Sequence, residues 1–70
     1  MKEYLIVIER DGDSWGAFAP DLPGLGVAGS SEAEVEQLAK DAVASHVALL
    51  VELGEPVPEP TARVSYVNVA

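Results

Sequence analysis

The chain has 70 residues, a net charge of −8, a pI near 4.2 and no cysteine, and 49% of its residues are hydrophobic. Only Lys2, Arg10, Lys40 and Arg63 are available to neutralise phosphates, which speaks against direct nucleic-acid binding by this chain. Disulfide staples and a cysteine-based zinc site are excluded, and a domain this small buries only about 60% of its unfolded surface. So apolar a chain is therefore expected to share surface with copies of itself, as a dimer or tetramer.

Residues 1–70 read as a single domain. Tyr4 to Glu9 (YLIVIE) is β-branched and aromatic, with Tyr4, Ile6 and Ile8 on one face and Leu5 and Val7 on the other. That pattern predicts a central strand covered on both sides. Asp11-Gly12-Asp13-Ser14 supplies turn chemistry, and Trp15 to Ala19 predicts the returning strand of a hairpin. Pro20-Asp21-Leu22-Pro23-Gly24-Leu25-Gly26 cannot continue a sheet, so the backbone must turn there. A short third strand is expected from Leu25 to Ala28.

Ser31 with Glu34 three residues on forms a capping-box signature, and Glu32, Glu34 and Glu36 sit where a helix dipole favours negative charge. The helix is predicted to run to about Leu53, with Gly54 as terminator. Val35, Leu38, Ala39, Ala42, Val43, Leu49, Leu50 and Leu53 make a stripe expected to cover the sheet. Ala44, Val47, Ala48 and Val51 lie off that stripe and are the expected oligomer interface. Glu55 to Pro60 carries three prolines and predicts an extended connector, after which Arg63 to Val69 predicts a last strand. The expected fold is α+β: β-β-β-α-β, a mixed four-stranded sheet of order 3-2-1-4 with one helix on one face. The crossover to the fourth strand is expected to be right-handed.

Little in the chain marks catalysis. His46, the only histidine, falls near the middle of the apolar helical stripe with no acid or nucleophile motif beside it, and reads as a buried or interface residue. Asp11-Gly12-Asp13-Ser14 begins like a calcium loop but lacks the spaced ligands and closing glutamate. The predicted topology is similar to the ribonuclease H core, whose chemistry places carboxylates on the first strand, the helix and near the fourth strand to hold two metal ions. Here the middle of the first strand is Leu5-Ile6-Val7 and the last strand offers Asn68, so Glu9 and Glu36 alone make no such site. Neither a cofactor nor a metal is expected. Asp21 has two readings, as an acceptor for local turn amides or as an exposed contact on a rigid loop.

Several of these segments together resemble the HicB family of antitoxins. They are Ile8-Glu9, the turn Asp11-Gly12-Asp13, Trp15-Gly16-Ala17, Pro20-Asp21-Leu22-Pro23-Gly24, Gly29-Ser30-Ser31-Glu32-Ala33, and Leu53-Gly54-Glu55-Pro56-Val57-Pro58-Glu59-Pro60. The likeness covers nearly the whole chain. It implies a partly degraded ribonuclease H-like domain, not an enzyme, that binds and masks a small basic RNA-cleaving toxin of the HicA type. In that family a second, C-terminal domain usually reads operator DNA; this sequence ends at Ala70, so DNA reading is not expected of it. The resemblance, with expected exposure, points to Asp21, Leu22, Glu32 and Glu36 as toxin contacts. An orphan homo-oligomer that binds some other protein is the alternative. Met1-Lys2-Glu3 leads straight into a strand, and no apolar run nears the ~20 residues of a membrane span, so a cytoplasmic location is expected.

Overall fold

A computed structural model describes residues 2–70. Its elements are β1 (Val7–Asp11), β2 (Ser14–Phe18), β3 (Gly26–Gly29) and α1 (Glu32–Leu53). The strands form one antiparallel meander of order β1-β2-β3. β1 and β2 meet in a tight hairpin, with Asp11 opposite Ser14 and a two-residue loop whose first residue, Gly12, has φ of 63°. That is the glycine-first geometry that suits the twist of a two-residue hairpin.

The helix starts as its sequence dictates. Ser31, in extended conformation, accepts the Glu34 amide on Oγ at 3.1 Å. The Glu34 carboxylate reaches back to the Ser30 amide at 2.6 Å, one residue earlier than the usual partner in a capping box. Gly29 lets the strand pass close beneath this turn: a methyl group there would meet the Glu34 carboxylate and stand 3.1 Å from Val35 Cγ1. At the other end Gly54 has φ of 70° and its amide bonds Val51 O at 3.1 Å, while Glu55 N bonds Leu50 O at 2.9 Å. This paired bonding satisfies carbonyls the helix leaves open.

The core is small and rich in alanine. Ala17, Ala19, Leu22, Val35 and Ala39 are buried, and Ile6, Ile8, Trp15 and Val27, partly buried, pack against Ala17, Val35 and Ala39. Leu22 and Val35 are wholly enclosed, each burial stabilising by roughly 1.5–3 kcal/mol. The helix leans over β2 and β3 more than over β1, so the β1 side of the sheet is the less covered.

Two expectations are corrected. The sheet has three strands, not four in the order 3-2-1-4: Arg63 to Val69 makes no strand and is exposed along its length. The cause lies in the connector. Tyr4 Oη donates to Pro58 O at 2.5 Å, Lys2 pairs with Glu59, and Asp21 holds the amides of Thr61 and Ala62. These bonds carry the proline-rich segment past the N-terminal residues to the β2–β3 loop, rather than up the free edge of β1. The first strand is likewise shorter than Tyr4 to Glu9, because Lys2 to Ile6 have no ladder partner and pairing begins at Val7 opposite Phe18. The helical stripe is also only partly core. Val35 and Ala39 are buried, whereas Leu38, Leu49 and Leu53 are exposed.

Candidate functional site

The β2–β3 loop is fixed by two successive turns, Leu22 N to Ala19 O at 3.0 Å and Leu25 N to Leu22 O at 3.2 Å. They aim Leu22 into the core and leave Asp21 half-buried on the rim. The Asp21 carboxylate then accepts three hydrogen bonds from one place: Thr61 N at 3.1 Å, Thr61 Oγ1 at 3.0 Å and Ala62 N at 3.0 Å. The Ala62 amide, helped by the two Thr61 donors and opposed by partial desolvation, holds this carboxyl below its ordinary pKa.

Asp21 thus acts neither through local turn amides nor as a free surface contact. It is a latch across 40 residues of sequence, closing the loop onto the connector. The sequence carried a signal for the acceptor, an aspartate between two prolines, but none for donors so far away. Leu22, expected beside Asp21 on the loop surface, has a wholly enclosed side chain. Glu32 is exposed at the first turn of α1. Glu36 lies one turn on, half-exposed, and is paired with Lys40 Nζ at 2.9 Å. These two carboxylates remain on the surface.

An apolar concavity lies elsewhere. A groove of about 640 Å³ runs between the N-terminal segment and α1, lined mainly by Tyr4, Ile6, Val43, Ala44, Val47 and Val51. Its polar fringe is Lys2, Glu3 and Lys40. The structure therefore gathers Ala44, Val47 and Val51 on one wall; Ala48 is exposed beside them but does not line it. His46 sits in a separate shallow hollow against Pro23 to Gly26, partly exposed. Among the described residues, no three histidine, aspartate or glutamate side chains gather where one metal ion could be held. No helix of the described residues is long and apolar enough to cross a membrane.

Residues 4–69 match the family model of the HicB-like antitoxin of bacterial toxin-antitoxin systems. The chain belongs to the HicB-like antitoxin family. No curated protein and no solved structure matches it. The match runs through the exposed tail, so Arg63 to Val69 is part of the family domain rather than an appendage to it. Membership gives the chain a place in toxin-antitoxin systems, a regulatory setting rather than a metabolic one.

Proposed function

We propose that this chain is the toxin-masking module of a toxin-antitoxin pair: a non-catalytic, self-associating protein that covers a small basic RNA-cleaving toxin. The observation that carries this reading is the family match over residues 4–69. Electrostatics supports it. The chain bears 12 acidic residues against 4 basic ones, and Glu32 stands exposed near the helix start. Complementary charge of this kind speeds encounter with a basic partner and suppresses acidic ones. Glu32 and Glu36 are the proposed toxin contacts. Asp21, whose carboxylate is occupied by the connector, supports the binding surface by fixing the loop's shape. Self-association is proposed through the face bearing Ala44, Val47, Ala48 and Val51.

The test is co-expression with the small basic protein encoded beside this chain's gene. The expected result is a stable complex in which cleavage of RNA stops, and Glu32→Lys with Glu36→Lys weakens binding by about tenfold or more. A neighbouring gene whose product neither binds this chain nor cleaves RNA would refute the reading.

A further inference from the structure

Two segments of this chain have strand-forming sequence and no strand partner. Tyr4 to Ile6 continues the edge strand β1 beyond its last pair, so its backbone lies open beside the apolar groove. Arg63 to Val69 (RVSYVNV) leaves the body bare: Tyr66 is 91% exposed, Val67 83% and Val69 85%. An unpaired apolar edge and an exposed apolar strand-like tail are each a template for pairing with another chain. Every copy carries both.

We propose that the tail of one copy lies in the groove of a second copy, between its Tyr4–Ile6 segment and α1, and that the exchange is reciprocal. The proposal deepens the self-association read above by naming what fills the interface. Two observations choose this occupant. The connector is stiffened by Pro56, Pro58 and Pro60 and latched by Asp21, so the tail is carried away from its own groove. Prolines that hold a hinge extended oppose its folding back on the same chain, which favours exchange between copies over closure within one. Length also fits, since seven extended residues span about 23 Å, enough to follow the roughly 17 Å of α1 from Lys40 to Val51 and the shorter Tyr4–Ile6 segment. In the exchanged pair, Val64 and Tyr66, which share one face of the extended tail, would meet Tyr4, Ile6, Val47 and Val51, and two apolar surfaces would be removed together.

The absence of native cysteine makes a clean test possible. Val47→Cys and Tyr66→Cys are introduced into separate full-length chains, which are unfolded together, refolded as a mixture and treated with a short bis-maleimide linker. Expected is a covalent dimer joining one chain of each kind, and little product from either variant alone. In parallel, sedimentation equilibrium is run on the unmodified chain and on Tyr66→Asp/Val67→Asp, which should dissociate at least about 30-fold more readily. A chain bearing both cysteines that links within itself at high dilution would overturn the proposal in favour of closure within one copy. A dimer that survives the tail substitutions, with no cross-link between the two kinds, would overturn it while leaving self-association intact. An unmodified chain that stays monomeric at all concentrations would overturn both.

Discussion

The two halves of α1 differ in apolar content, five residues of eleven in 32–42 against eight of eleven in 43–53, and the richer half is the less covered. In the first half Val35 and Ala39 are wholly buried, the start is capped by Ser31 and Glu34, and Gly29 allows close approach of the strand beneath. In the second half Leu49 is 49% exposed and Leu53 63%, and Val47 and Val51 line an open groove. Hydrophobic periodicity records that a face is fit for burial; it does not record against what. The first half finds its cover within the chain. The second half has surface to give away, which a chain with only a small internal core needs to do.

The sharpest way to break this contrast is to remove one apolar side chain from each region. Val35→Ala empties a fully enclosed site in the first half and is expected to cost about 2–3 kcal/mol in urea unfolding, a large share of the stability of so small a domain. Leu53→Ala removes a side chain that is mostly in water and should stay within about 0.5 kcal/mol. Equal losses from the two would mean that the exposed half of the helix is covered in solution by something already present at the lowest concentrations.

A smaller effect tests the closed end alone. Ser31→Ala leaves the Glu34 amide without its cap and is expected to cost about 1 kcal/mol, read as a lower urea midpoint with an unchanged slope. Amide exchange should rise over the first turn of α1 and not near Gly54.

Features set by near neighbours in sequence were legible in the residues. The hairpin at Asp11–Ser14, the Ser31 cap, the Gly54 terminator and the length of the helix all follow from chemistry within four or five residues. Features set by distant partners were not. The fate of Arg63 to Val69 depends on bonds from Lys2, Tyr4 and Asp21 to the connector, and β-propensity is blind to them. Leu22 reads as a loop contact from the family likeness and expected exposure, yet the two turns that follow Ala19 drive it inward. Of the candidate site, the acidic surface and the apolar helical face could be read from sequence; the groove they border needed Tyr4 and Ile6 in place.

The latch between these regions titrates. The Asp21 carboxyl is held below its ordinary pKa, so the ionised form is favoured in the folded chain. Its contribution is present in full above the ordinary carboxylate value of about 3.9 and is lost as pH falls through the lower folded value. The amide resonances of Thr61 and Ala62 should therefore shift together, with a midpoint below 3.9 by about as much as Asp21 itself is depressed. In Asp21→Asn that shared transition should vanish while the helix-start amides stay unmoved. A midpoint above the ordinary value would mean that the carboxylate does not hold the connector.

The smallest expected effect separates surface charge from packing. Lys40 and Glu36 are four residues apart on α1, acid first, and both are largely in water. Such a pair gains little, because solvent screens it and two long side chains must be held still. Lys40→Ala should cost no more than about 0.5 kcal/mol in low salt, and less in 1 M salt, where screening acts within about 3 Å. The same substitution frees Glu36 and makes the surface more acidic, so affinity for a basic toxin should hold or rise as stability slips. Loss of toxin binding in Lys40→Ala would show that the partner reads this face through its cation, and would move the contact from the acids toward the groove that Lys40 borders.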